Sequence, residues 1–412
     1  MGGRRSQAAT GPKRQWEGKG KIKLIQGGAA AAEREPSLVI PLPVSVTYSS
    51  TLVRLRRRPT PDSLDCSTAR LIDSTGPVAL TSILGRLRVM MCLHILASFL
   101  AIAISGGIVY RRRSGRCTSK KLLHNETVII TGASAGIGKA TAHDLARRGA
   151  RVIMACRNLI KAQRVADIIK SETGNPQVIV EELDLSDLES VRRFAENIKK
   201  KEKSLKVLIN NAGAGVSTRQ MSPQNLELTM ATNHYGHFLL TNLLLDLLKA
   251  SAPSRIVTVS SKLHGVAKEM DVDNLNFTNA KEYSLLAAYA QSKLCNILFT
   301  KELSRRLEGT GVTANCLHPG VVATEGFHKV GTLRGYIYSA LAQVVGKDCL
   351  TGAQTTIYLA VSDEVKDSSG KYFVDCQQES TCYQQAENED LARRLWDVSE
   401  RDVSLEAREK FC

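Results

Sequence analysis

Tyr289 and Lys293 stand four residues apart in the stretch AYAQSK. On a helix that spacing places both side chains on one face. A phenol holds its proton up to about pH 10, too high for acid–base work at neutrality. An ammonium alongside stabilises the phenolate and lowers that value. An oxidised nicotinamide would add further positive charge. Taken alone, the same spacing also describes an ordinary pair on a solvated helix.

A second group of residues suits a phosphate. In VIITGASAGIGKA (128–140), an apolar run passes into Gly132, Gly136 and Gly138 and then into a helical pattern. Glycines there let the backbone approach a pyrophosphate, and a helix start offers free N–H groups and positive dipole. The spacing is not the common G-x-G-x-x-G. After the next apolar run, IMACRN carries no acid where a ribose-binding carboxylate would select NAD. It carries Arg157, with Lys139 and Lys161 nearby, which favours the 2′-phosphate of NADP(H). The alternative for Arg157 is a solvated loop residue.

The elements that must position these groups alternate. TVII, RVIMA (151–155), VIVEE (178–182), KVLIN (206–210), RIVTVS (255–260) and VTANCL (312–317) read as strands, with KYF (371–373) as a candidate seventh. Helical stretches lie between them, among them about 222–250 and 282–308. Ser186 and Glu189 predict a capping box for a helix running to about residue 200. Continuously apolar strands alternating with helices predict an α/β fold, a doubly wound parallel sheet of Rossmann type in a single domain over 124–400.

The net charge of +16 is unevenly placed. Residues 1–88 carry +9, residues 89–121 carry +6, and the remainder only +1. That excludes a nucleic-acid groove on the main domain and puts the excess beside an apolar run. The ten cysteines form no C-x-x-C pair and no metal-spaced cluster, so no metal is expected. Cys376 and Cys382 are close in sequence but read as reduced, as in a domain facing the cytosol. Asn125 and Asn276 begin glycosylation sequons, which are silent there.

TGASAGIG (131–138), NNAG (210–213), Asn233 in ATNHYGHF, VSS (259–261), Tyr289-x-x-x-Lys293 and HPGVVAT (318–324) occur in one order. Over about 124–400 this resembles the short-chain dehydrogenase/reductases. VIITGASAGIGKATAHDLARRGARVIMACRN, NHYGHFLLTNLLLDLLK and SGKYFVDC are similar to the retinol dehydrogenases, which use NADPH to reduce retinal at membranes. The resemblance implies Tyr289 as proton donor or acceptor, Lys293 as its cationic partner and ribose ligand, and Ser261 as the group bonding the reacting oxygen, with Ser260 the other candidate. Asn233 would complete a tetrad by holding a water; the alternative is an amide that bonds backbone. Thr131, Gly132, Ser134, Gly136, Ile137 and Gly138 would hold the cofactor with Arg157. So would Asp184, Asn211, Ala212, Gly213, Pro319, Gly320 and Thr324, together with Tyr289 and Lys293. Ser261 and Tyr289 would touch substrate. The segment 325–349 departs from the family, leaving Phe327, Tyr336 and Tyr338 as either pocket lining or packing. The helices over 222–250 and 282–308 are where such proteins pair as homodimers. The implied substrate is a lipophilic aldehyde or alcohol, a retinoid first. The rivals are a steroid or other lipid carbonyl with the same machinery, and an NADP-binding membrane scaffold without turnover.

MMCLHILASFLAIAISGGIVYRRR (90–113) is apolar until its arginines. Residues 89–110 are long enough to cross a bilayer. Basic residues are more numerous after the run than before it, which places the domain on the cytosolic side. The expectation is a single-pass membrane anchor in the endoplasmic reticulum, with a mitochondrial membrane as the alternative. Residues 111–123 would be a basic linker and 401–412 a tail. Residues 1–88 read as a disordered leader, dispensable or an upstream reading-frame addition, with a functional start at Met90 or Met91.

Overall fold

The structure is a computed structural model that describes residues 76–267, 269–278, 283–323, 343–380 and 383–409. Residues 1–75 of the expected leader lie outside the described residues, as do Thr324, Phe327, Tyr336, Tyr338 and Cys382.

Helix α1 (Gly76–Arg113) contains the apolar run. Leu84–Arg113 is long and apolar enough to cross a membrane, with a mean hydropathy of 2.2 and none of its most apolar window buried. The helix begins at Gly76, inside the stretch read as disordered, and ends at Arg113. Arg86 and Arg88 end an apolar span but are good helix formers, so charge bounds the lipid-compatible part without bounding the helix. The expected linker is not free either. Arg148 Nη1 donates to the carbonyls of Ser119 and Lys121 at 2.7 and 2.9 Å, and Leu123 is buried.

Strands β1 (Thr127–Thr131), β2 (Arg151–Cys156), β3 (Val178–Glu182), β4 (Val207–Asn210), β5 (Ser254–Val259), β6 (Val312–His318), β7 (Tyr372–Val374) and β8 (Gln377–Glu379) form one sheet in the order β3-β2-β1-β4-β5-β6-β7-β8. All neighbours are parallel except β7 and β8. The order reverses between β1 and β4, and the crevice at the strand ends there is where such sheets bind ligands. β8 was not legible in the sequence. Its residues, Gln-Gln-Glu, are exposed, and a two-residue turn at Asp375 and Cys376, both with positive φ, folds it back onto β7.

Helices cover both faces, as expected. α2 (Gly136–Arg147), α3 (Leu159–Thr173) and α8 (Cys349–Val361) bury Leu145, Ile169 and Ile357 on one side. On the other, α4 (Leu188–Lys201), α6 (Gly236–Ala250), α7 (Leu285–Arg306) and α9 (Glu389–Asp402) bury Phe194, Phe238, Leu298 and Trp396. The packing continues through Val403 and Leu405, both buried, into the stretch read as a tail.

Two helix starts differ from expectation. The cap of α4 is Asp187, which accepts the Glu189 amide; Ser186 instead donates its hydroxyl to Asp184 Oδ1 at 2.6 Å. The helix expected from 222 begins with the short α5 (Leu228–Met230), because Asn225 adopts φ 61° in a turn and Glu227 caps the amides of Thr229 and Met230. A single π turn, Ala231–Tyr235, joins α5 to α6.

Candidate active site

The glycine turn joins β1 to α2. Gly132 has φ 67°, and a Cβ on Gly138 would lie 2.5 Å from the Gly132 carbonyl and 2.6 Å from Asn211 Nδ2. Glycine is therefore required for these backbones to meet. Thr131 sits beneath, fully buried. Its hydroxyl oxygen accepts the amides of Asn211 and Ala212, both at 2.9 Å, and so pins the loop after β4 against the end of β1. Ala135, the N-cap residue just before α2, supplies no side-chain cap. The first amides of the helix thus remain for an anion, and Ala135, Gly136, Ile137 and Gly138 line a cleft of about 800 Å³. An uncapped helix start beside a backbone approach that excludes any Cβ fits a dinucleotide pyrophosphate.

Arg157, Asn158 and Lys161 line the same cleft at the end of β2. Asp184 lies opposite. One of its oxygens accepts the amide and hydroxyl of Ser186, and the other is 3.6 Å from Arg157 Nη1. Arg157 is largely exposed, so this pair is weakly held. Arg157 and Lys161 give this rim a net positive charge beside Asp184.

At the far end, α7 presents Tyr289 and Lys293. The ammonium is 5.5 Å from the centre of the phenol ring and donates to the Val259 carbonyl at 3.0 Å. Lys293 is buried, and burial lowers its pKa to about 8. Among the described residues no carboxylate forms an ion pair with it, so its positive field is not neutralised locally.

The two serines are distinguished by their bonds. Ser260 donates its hydroxyl to the Lys293 carbonyl at 2.7 Å, and its amide donates to Leu317. Ser261 accepts the Leu263 amide at 3.2 Å, capping the turn Lys262–Val266, and so retains its own proton. Ser260 lines the cleft; Ser261 is not among the lining residues.

Asn233 lies in the π turn, fully buried. Its Oδ1 accepts the Ala214 amide at 2.8 Å, while Nδ2 donates to the Ala214 carbonyl at 2.9 Å and to Ser292 Oγ at 3.0 Å. Its own carbonyl lies 3.1 Å from His237 Nδ1, and His237 Nε2 lies 2.9 Å from Thr131 Oγ1. The consistent proton assignment has Nδ1 donating and Nε2 accepting the threonine proton. Burial, with Lys293 charge adding to it, lowers the His237 pKa to about 4, which keeps the ring neutral.

A short chain dehydrogenase family model matches residues 126–272. Human retinol dehydrogenase 13 is 48% identical over 298 residues, covering 71% of this chain and 89% of that protein. The chain belongs to the short-chain dehydrogenase family. Mouse retinol dehydrogenase 14 is 44% identical over 336 residues, covering 76% of this chain and 99% of the relative. A solved short chain dehydrogenase from Escherichia coli CFT073, complexed with NADPH, superposes with a TM-score of 0.50 at 25% identity, covering 62% of this chain and 99% of that one. The protein is thus an oxidoreductase related to the retinol dehydrogenases.

In this short-chain dehydrogenase the cleft gathers most of the expected residues: Gly132, Ser134, Gly136, Ile137, Gly138, Arg157, Asp184, Asn211, Ala212, Gly213, Tyr289 and Lys293. Thr131 and Asn233 lie behind it, bonded to residues that line it. Pro319 and Gly320 do not line it; they follow β6 and pack on Lys347. Leu183, Leu185, Val216, Gln220 and Thr232 also line it and were missed. His237 was missed too, although a histidine inside GHFLLTNLLLDLL was a signal: a buried polar group needs a partner.

Proposed function

We propose that this chain is a membrane-anchored, NADP(H)-dependent reductase of lipophilic aldehydes, with all-trans-retinal reduced to retinol as its first candidate reaction. The observation that carries the reading is Tyr289 lining one cleft with the glycine turn, beside a buried and locally unneutralised Lys293 ammonium. Lys293 favours the phenolate, so Tyr289 gives up a proton more readily to the carbonyl oxygen. The Ser260 hydroxyl of the cleft wall is spent on the Lys293 carbonyl, so the adjacent Ser261, whose oxygen accepts an amide, is the serine with a proton to give to the substrate oxygen. The Asn233 side chain holds Ala214 and Ser292 in place behind the cleft. When bound, NADPH supplies the hydride that reaches the carbonyl carbon.

The cationic rim of Arg157 and Lys161, with no acid ending β2, supports NADP(H) over NAD. The NADPH complex of the Escherichia coli relative supports the same choice. The retinoid assignment rests on likeness to the retinol dehydrogenases and on the apolar α1, which would hold the domain beside lipid. An endoplasmic reticulum membrane with the domain toward the cytosol agrees with the arginines after the apolar run and with NADPH supply.

The test is the purified full-length chain with NADPH and all-trans-retinal, followed by loss of NADPH absorbance. Turnover is expected. Reduction of a steroid ketone but not retinal would remove the retinoid assignment. NADPH binding without turnover of any carbonyl would leave a cofactor-binding scaffold.

A further inference from the structure

The C-terminal end of α1 is built into the domain. Gly107 is buried, and a Cβ there would lie 2.5 Å from the Val344 carbonyl. Arg111 covers the same stretch: Nε donates to Gly346 at 2.6 Å, and Nη2 to Gln343 at 2.8 Å and Val344 at 3.2 Å. The Tyr110 hydroxyl accepts the Val321 amide at 3.3 Å, and its ring faces the Lys347 ammonium at 5.4 Å. Lys347 is only 1% exposed and donates to Asp375 Oδ1 and to the Pro319 carbonyl. Just past the helix, the Gly115 amide donates to Asp375 Oδ1 at 3.3 Å, and a Cβ at Gly115 would clash with the Asp375 carbonyl.

These contacts lead directly to the serine end of the site. The Lys347 amide donates to Val321 at 2.8 Å and the Ala323 amide to Lys347 at 3.0 Å, so the segment after β6 is laced to the segment before α8. One step back, His318 Nδ1 accepts the Lys262 amide at 3.1 Å, within the turn that Ser261 caps. The Ser260 amide donates to Leu317 at 2.7 Å. The backbone carrying both serines is therefore bonded to the end of β6, whose continuation is bonded by Lys347 and Tyr110, with Asp375 pairing Lys347.

A tether needs none of this; a flexible basic stretch would suffice. A buried ammonium is tolerated only when paired and bonded, and here its partners come from three separate parts of the chain. We infer that the last turns of α1, with the Lys347–Asp375 ion pair, are a positioning element for the serine end of the active site. The helix that holds the protein at the membrane is then also a structural component of its catalytic centre.

The test uses the full-length chain in detergent micelles, where membrane delivery is not a variable. Gly107→Leu drives a side chain into Val344 while keeping α1 apolar. Gly106→Leu is the control, because a Cβ there meets nothing within 4 Å. Tyr110→Phe removes a single hydrogen bond and leaves the core untouched. Gly107→Leu is expected to lower kcat/KM by up to about 10²-fold, as sub-ångström to ångström misplacement does. Tyr110→Phe should lower it less, and Gly106→Leu not at all. Any loss of NADPH affinity should be smaller than the loss of kcat/KM, since the glycine turn is remote from the change. Amide exchange at Val321, Lys347, Ser260 and Lys262 should quicken in Gly107→Leu. Equal kcat/KM and equal exchange in the Gly107 and Gly106 variants would overturn the inference, and so would an equal loss of NADPH affinity. The kinetic arm rests on the carbonyl-reductase reading. If the unaltered chain reduces no carbonyl, that reading fails, and the exchange comparison alone decides the positioning role.

Discussion

Tyr289 and Lys293 give the sharpest single-residue expectation. Tyr289→Phe removes the proposed proton donor and leaves the glycine turn alone. Turnover should fall about 10²–10⁴-fold while NADPH still binds, measured by steady-state rates beside a fluorescence titration. A near-normal rate would move the proton donor elsewhere. Arg157→Asp reverses the sign of the rim and adds a carboxylate where ribose hydroxyls would lie, so the ratio of kcat/KM for NADPH to that for NADH should fall. An unchanged ratio would take Arg157 out of the phosphate site. These residues were legible because their chemistry is tied to short spacings. The choice between Ser260 and Ser261 was not, since adjacent residues look alike until their bonds are known. Lys347 gave no sequence signal at all, because its partners, Pro319, Asp375 and Tyr110, are brought to it only by the fold.

At the scale of elements, His237 ties three pieces together: the end of β1 through Thr131, the π turn through Asn233, and α6 on which it sits. Its ordinary pKa of 6.5 is lowered to about 4 in the fold. Between those values the unfolded chain binds more protons than the folded one, so stability falls as pH falls through that window. The contribution lost between pH 7 and pH 5 is on the order of 2 kcal/mol. His237→Gln should therefore lose less stability than the unaltered chain when pH drops from 7 to 5, seen as a smaller fall in Tm. An identical pH dependence would mean that the ring is not held neutral. His234, lowered to about 3, and His318, lowered to about 4, would still leave the variant acid-sensitive. The parallel strands were readable because each is an unbroken apolar run. The start of the helix before the π turn was not, because Ser222 to Leu226 close a local turn on themselves. Nor was β8, whose polar residues carry no periodicity toward a core.

For the molecule as a whole, α1 is the described helix long and apolar enough to cross a membrane. A chain beginning at Met90 keeps the helix from there to Arg113 and the contacts of Gly107, Tyr110 and Arg111 with the domain. That chain should partition into membranes and match full-length kcat/KM, checked by fractionation and assay. Loss of either would give residues 1–89 a role. The structure also improves the test of topology. Asn276 accepts the Glu227 amide through Oδ1 at 2.8 Å, so its side chain is engaged within the fold. Asn125 is exposed and is the better reporter. With the domain in the cytosol, Asn125 stays unglycosylated; a glycan there in cells would invert the orientation. The nearly neutral domain and the basic leader were separable in the sequence by charge alone. The docking of the last turns of α1 was not, because it depends on glycines whose neighbours lie far along the chain.

The strand order has a consequence for how the chain is made. β1 is flanked by β2, which follows it closely, and by β4, which comes only after β3 and α4. During synthesis the apolar edge of β1 therefore stays unpaired until Asn210 has emerged, while α1 has long since left the ribosome. Non-local parallel pairing is slow, and an exposed apolar edge invites association. A nascent chain held at a membrane by α1 would spend that interval dispersed in two dimensions, apart from other unfinished copies.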